Sequence, residues 1–241
     1  IQGVGLGTVT DSFATIKYNV FDKKFITMSE LLNALKADFR EYETLRQRLL
    51  TKTPKYGNDD DYVDQIMKAV FELYYNAIDG RPNTKDGHYR INLLPTTVHI
   101  YFGRVVEATP DGRKASGPLS EGVSPVQGAD RKGPTAVIKS VAKIDHARTG
   151  GTLLNQKFTP QLLADEDGLN KLAHLIRTYF KLDGHHVQFN VVSSDMLRDA
   201  QKHPEKYRNL IVRVAGYSDY FVDLNVELQN EIIKRTEHAS F

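Results

Sequence analysis

The chain has 241 residues, 40% of them hydrophobic and 26% charged, which is enough to build a substantial core and ordinary for a globular protein. A net charge of +2 offers no electrostatic case for nucleic acid or an anionic membrane as partner, and no apolar run reaches the length of a transmembrane span. The absence of cysteine excludes disulfides, thiolate-held metals and iron–sulfur clusters ligated by these residues.

The chain opens Ile1-Gln2-Gly3-Val4-Gly5-Leu6-Gly7. These glycines lack the Gly-x-Gly-x-x-Gly order, no strand precedes them and no Lys-Ser/Thr follows, so no phosphate loop is expected. No charged-then-apolar leader is read here, and a cytoplasmic location is expected. Ser12 to Val20 predicts a short helix. Thr27 and Glu30 have the spacing of a capping box. Leu31, Leu32, Leu35, Phe39, Leu45 and Leu49 then predict one long helix to about Leu50. Asp59, Asp60 and Asp61 suit the start of the next helix, which runs to about Ile78 with Val63, Ile66, Met67, Val70, Phe71 and Tyr74 inward. Adjacent residues on a helix do not face one another, so these aspartates read as a solvated cap and not as a metal site.

Asp79-Gly80-Arg81-Pro82 breaks that helix. Arg90 to Phe102 is rich in apolar and β-branched residues and predicts a strand, bent at Pro95. From Ala108 to Pro134 the chain is dense in Gly, Pro and Ser, which reads as a long ordered loop or covering segment. A helix is expected over Thr135 to His146, a buried strand over Gly150 to Phe158, and an amphipathic helix over Gly168 to Lys181, closed by Gly184. A strand is expected from His185 to Val192, then a helix capped by Ser193 or Ser194 and ending at Gln201. Strands alternating with helices point to α/β architecture with parallel pairing. Eight histidines raise the question of a metal. His185 and His186 would face opposite sides of a strand, while His99 and His146 lack partners at ligand spacing, so no metal is expected.

The apolar run Leu210-Ile211-Val212 leads into Arg213-Val214-Ala215-Gly216-Tyr217-Ser218-Asp219-Tyr220-Phe221, and a helix over about Asn225 to His238 follows. Alone, Gly216 requires only a turn with positive φ. In context, the stretch resembles the Arg-Val-x-Gly-Tyr-x-x-x-Phe fingerprint of the glycyl radical enzymes, through Arg213, Val214, Gly216, Tyr217 and Phe221. Glycine suits that chemistry because a Cα radical is planar and delocalised into both flanking peptide groups, and a Cβ would crowd the plane. Further blocks resemble the same family: Thr109-Pro110-Asp111-Gly112-Arg113-Lys114, Ser124-Pro125-Val126, Gly133-Pro134-Thr135-Ala136-Val137, Leu153 to Phe158, His186 to Val192, and Asp199 to Glu205. They are most similar to the branch of glycerol and diol dehydratases, hydroxyproline dehydratase, choline trimethylamine-lyase and isethionate sulfite-lyase.

The resemblance implies the C-terminal part of a ten-stranded α/β barrel, with residues 1–183 in the barrel half and 184–241 as a glycyl radical domain. It implies that Ile1 begins a fragment. It implies that Gly216 carries the radical and passes it to a cysteine on a finger loop elsewhere in the enzyme. The thiyl then starts an elimination on a small polar substrate, helped by a carboxylate also outside this chain. No cofactor is expected on the chain. The radical is installed by a separate activating enzyme with S-adenosylmethionine and an iron–sulfur cluster. The family habit is a homodimer, from an anaerobic bacterium, with a microcompartment left open.

Leu94, Pro95 and Thr97 match a strand that supplies substrate-facing side chains in the family. Arg90 is either a partner for an anionic substrate or a surface residue. Arg213 and Tyr217 flank the radical position. Gln188 and Asn190, at alternate positions on the preceding strand, either satisfy the backbone of a buried loop or solvate a sheet edge. Asp219 stands where many relatives carry a small residue; it is expected to be exposed, the alternative being a partner such as Arg213. Other readings kept open are a formate acetyltransferase-like enzyme, a spare radical-domain protein, and a non-catalytic assembly protein on the same fold.

Overall fold

Gly5, at φ +86°, turns the chain into helix α1 (Leu6–Ile16), which widens into a π-helical stretch over Lys17–Asp22. The computed structural model describes residues 1–94 and 96–241. Helix α1 starts earlier than the expected Ser12 because its first turn is docked: the Thr8 amide donates to Ser120 Oγ and the Ser120 amide donates to Thr8 Oγ1, at 3.0 and 2.8 Å.

The capping box opens α2 (Met28–Lys36), with the Glu30 amide 3.1 Å from Thr27 Oγ1 and the Thr27 amide 2.7 Å from Glu30 Oε2. The expected single helix to Leu50 is two. Asp38, Phe39 and Glu41 have φ of 50°, 57° and 68°, and α3 (Glu43–Lys52) begins after them. The corner buries Phe39 against Leu31, Ala34 and Leu49, which a straight helix would not allow.

Helix α4 (Asp61–Ile78) buries Val63, Met67 and Phe71, and Asp60 caps it through the Tyr62 amide. Asp59 and Asp61 are exposed beside the Asp60 cap, as expected, and Lys143 joins them to buried Asp64, at 3.3, 2.8 and 2.6 Å from carboxylate oxygens of Asp59, Asp61 and Asp64.

The expected strand from Arg90 to Phe102 is corrected. Asn92 and Leu93 make single parallel bridges to Gln2 and Thr152, and Val98–Val105 is a helix, α5. Its β-branched residues suggested a strand, but the buried positions are His99 and Gly103, four apart, which is helical spacing. Gly103 lets α5 lie directly on the covering loop, where an added Cβ would come within 2.2 Å of the Gly117 carbonyl oxygen. Pro95 lies outside the described residues.

Helix α6 (Pro134–Val141) leads to strand β1 (Leu154–Phe158), buried at every position. Helix α7 (Glu166–Lys181), capped by Asp165, connects it to β2 (Val187–Val191). Where α7 ends, the residue in the left-handed region is Asp183, at φ 63°. Ser193 caps α8 (Ser194–Lys202). A two-stranded antiparallel ribbon follows, β3 (Ile211–Arg213) and β4 (Ser218–Tyr220). Helix α9 (Val226–Lys234) stops short of the expected His238, because the chain turns back to place β5 (Glu237–His238) beside β1.

The larger sheet has the order β2-β1-β5 and both pairings are parallel. It therefore joins strands from both sides of residue 184, and the architecture is mixed helix and sheet as expected. Lys157, in the buried central strand, donates to the carbonyls of Ile233 and Ile232 at 2.9 and 3.4 Å, satisfying the open end of α9. The main core gathers α1, α4, α6, β1 and α7. A second core, Val192, Leu197, Val212, Val214, Phe221, Leu228 and Ile232, lies beneath the ribbon and includes half-buried Ile100 of α5.

Candidate functional site

The turn of the ribbon is held by bonds from both of its own strands and from β2. Ile211, Val212 and Arg213 pair with Tyr220, Asp219 and Ser218. The Val214 amide donates to the Tyr217 carbonyl at 2.9 Å, leaving Ala215 and Gly216 as the two-residue tip. Gly216 has φ +81°, while Ala215 stays outside the left-handed region, the pattern of a type II turn. Val214 and, within the tip, Ala215 are buried; Gly216 is exposed, and nothing in this chain lies within 4 Å of where a Cβ on it would stand. Glycine is thus required by the backbone angle and not by crowding.

Strand β2 holds this turn from below. It carries two carboxamides on its buried positions, where strand periodicity sends both the same way. Asn190 grips Arg213 twice, accepting from its amide and donating to its carbonyl, both at 2.7 Å. Gln188 Oε1 accepts from the Gly216 amide at 3.1 Å and from Arg213 Nε at 2.8 Å. Its Nε2 donates to the Val214 carbonyl at 3.3 Å and to Asn155 Oδ1. Two donors on one side and two acceptors on the other permit only one orientation of that amide. Both carboxamides are 5% exposed, so these are backbone anchors and not edge solvation.

The Arg213 side chain runs along the turn and reaches Ser218 Oγ at 3.2 Å. Asp219 is half-buried; its carboxylate accepts from the Tyr220 amide at 2.8 Å. Tyr217 is 40% exposed, beside the open face of Gly216. Partial burial, with Asp219 adding to it, raises the Tyr217 phenol above its ordinary range.

A buried charge cluster that sequence reading missed lies behind the turn. Arg235 pairs with Glu231 at 2.8 Å, both side chains almost fully enclosed, and Arg235 Nη1 donates to the Arg213 carbonyl at 3.3 Å. Burial opposes charge on Glu231, yet Arg235 and then His99 hold its carboxyl well below the usual range. Burial pushes the nearby Glu121 carboxyl up, against the pull of Arg235. The i,i+4 spacing of Glu231 and Arg235 was a visible signal; their burial was not.

The expected substrate-facing residues sit apart from this turn in the chain. Leu94 is half-buried, its backbone paired with the Gln2 side chain at 2.9 and 3.1 Å. Thr97 is half-buried at the start of α5. Arg90 is a surface residue paired with Asp79 at 3.1 Å. Among the described residues, no three His, Cys, Asp or Glu side chains are placed to hold one metal ion, and no helix is long and apolar enough to cross a membrane.

Comparison with known proteins places these features in context. Residues 1–103 match the pyruvate formate lyase-like family and residues 119–222 match the glycine radical family. The chain is 58% identical to a trans-4-hydroxy-L-proline dehydratase of Clostridioides difficile over 99% of its length and 30% of that enzyme's. It is 47% identical to an isethionate sulfite-lyase of Bilophila wadsworthia, over 98% of the chain and 29% of the relative. The crystal structure of hydroxyproline dehydratase from Clostridioides difficile with substrate bound superposes with a TM-score of 0.97 at 57% identity, covering 99% of this chain and 30% of that one. The glycerol-bound B12-independent glycerol dehydratase of Clostridium butyricum gives 0.94 at 46% identity, with coverage of 99% and 30%. The chain therefore spans about three tenths of the length of the relatives it matches.

Proposed function

This chain belongs to the glycyl radical enzymes of the pyruvate formate lyase-like family, and from that premise we propose that Gly216 stores the radical for an elimination carried out by the full-length protein. The observation that carries the reading is the Gly216 turn itself, a glycine at φ +81° whose amide is held by Gln188. A gripped peptide gives the radical a fixed place. Excluding stray hydrogen donors and oxygen is what a protein contributes to radical chemistry.

On this reading a separate activating enzyme, using S-adenosylmethionine and an iron–sulfur cluster, takes one hydrogen atom from the Gly216 Cα. The radical passes to a cysteine outside this chain, whose thiyl takes a hydrogen atom from substrate carbon, and a neighbouring group then leaves. Arg213, Tyr217, Gln188 and Asn190 hold or flank the loop, and Leu94 and Thr97 face the substrate. The 58% identity to a trans-4-hydroxy-L-proline dehydratase makes that compound the first substrate to test, before isethionate, glycerol, 1,2-diols and choline. A cytoplasmic homodimer in an anaerobe is the setting that accompanies this reading.

The test is anaerobic activation of the full-length protein by its activating enzyme, followed by electron paramagnetic resonance and brief exposure to air. A glycyl doublet and chain scission at Gly216 are expected. An activating enzyme that works on another protein yet gives neither signal here overturns the assignment. Dehydration of trans-4-hydroxy-L-proline by the activated protein supports the substrate, and turnover of one of the others alone replaces it.

A further inference from the structure

Helix α5 starts just after Thr97, and the radical hairpin lies elsewhere in the sequence. One buried carboxylate stands between them. Glu231, on α9, is fully enclosed and receives groups from three other places. His99 Nε2 of α5 lies 3.6 Å from its Oε1, an electrostatic contact longer than a direct hydrogen bond, with both side chains fully buried. Gln127 Nε2 of the covering loop donates to the same oxygen at 3.2 Å. Arg235 donates to the other carboxylate oxygen, Oε2, from both Nε and Nη2, at 3.1 and 2.8 Å. The remaining arm of Arg235, Nη1, reaches the Arg213 carbonyl, the same atom that Asn190 holds.

Two further contacts keep α5 and α9 together: an Arg104–Glu227 ion pair at the surface, and Ile100 in the core cluster of Val212 and Val214. The path from the start of α5 to the hairpin is therefore continuous: Thr97, His99, Glu231, Arg235, the Arg213 carbonyl, and the Gly216 peptide that Gln188 holds beside it.

We propose that Glu231 and Arg235 are positioning residues that tie the start of α5, at Thr97, to the hairpin at residues 213–217, so that the two keep one relative placement. A buried ion pair is weak evidence for stability, because replacing both charges with apolar groups is often neutral. What this pair supplies instead is a fixed direction. The planar guanidinium can serve Glu231 and the Arg213 carbonyl together only when α9 and β3 are in register. The tie matters for catalysis on the reading given above, where Leu94 and Thr97 meet substrate and the hairpin holds the radical.

Amide hydrogen exchange on the full-length protein, read in peptides spanning residues 211–220, tests this without requiring the radical. Arg235→Lys keeps the charge and loses the fork; it is expected to raise exchange at the hairpin about tenfold, the effect of losing one hydrogen bond. His99→Gln, remote from the hairpin, is expected to raise it similarly, and adding it to Arg235→Lys should bring no further rise. Exchange at residues 178–184, on the end of α7, should not change in any of these. An unchanged hairpin in both single variants, or effects that simply add in the double variant, overturns the proposal. Should His99→Gln not fold, Gln127→Leu takes its place at the same carboxylate, with a smaller rise expected and no rise overturning it. Absence of a radical on activation would sink the functional reading and leave the exchange result standing.

Discussion

Of the places where this molecule holds the backbone in the left-handed region, the α2–α3 corner and the hairpin do it by opposite means. At the α2–α3 corner the residues are Asp38, Phe39 and Glu41, none of them glycine, with φ between 50° and 68°. Their strain is offset by packing, because Phe39 is buried at 1% exposure and Asp38 accepts the Ala115 amide at 2.7 Å. At the hairpin the residue is Gly216, with φ +81°, and the conformation is held by side chains from β2 that bond its backbone. The corner is fixed by what its own side chain fills. The hairpin is fixed from outside, by side chains that bond its backbone, and glycine takes its angle without strain.

Substitutions that break one turn while sparing the other sharpen the contrast. Phe39→Ala should have the largest effect, about 4 kcal/mol of lost stability from the missing ring and the space it leaves. Thermal unfolding would show it, and exchange in peptides 211–220 should stay as in the unsubstituted protein. Arg235→Ala comes next, at about 3 kcal/mol, because it leaves the Glu231 carboxylate buried without its partner. Replacing both residues with apolar ones of similar size should recover most of that loss, measurable by the same unfolding experiment. Gly216→Ala should destabilise by only about 1–2 kcal/mol, the strain of a Cβ in the left-handed region, since no neighbour crowds it. Activation should then give no doublet and no scission, separating the chemical need for glycine from the modest structural one. The smallest change is a gain: Glu41→Gly, exposed and at φ 68°, should stabilise the protein by up to about 1 kcal/mol, seen as a slightly raised Tm.

Local signals in the chain were legible wherever their cause is local. The capping box at Thr27 and Glu30, the cap at Ser193 and the amphipathic period of α7 depend on neighbours within a turn or two, and they appear as expected. The same holds for Gly216 at a strand-to-loop tip. Gln188 and Asn190 could be named as candidates because strand periodicity puts them on one face, but their choice between solvent and backbone depended on where β3 arrived. Helix α5 misled for the converse reason: Val98, Ile100 and Val105 are good strand residues, and only the close approach of Gly103 to the covering loop shows why a helix is preferred. Arg235, Glu231 and Glu121 look like ordinary surface charges in sequence; enclosure by three separate segments made them a cluster.

By itself the sequence determined the family, the mixed helix-and-sheet class and the identity of the one glycine on which the functional reading turns, because each is written in short runs of residue types at set spacings. Tertiary structure alone decided what holds that glycine. Hydrogen bonds from β2 and from the end of α9 to the Arg213 and Gly216 backbone join residues more than twenty positions apart. A donor and an acceptor at such separation have no pattern in the chain until packing brings them within 3.5 Å.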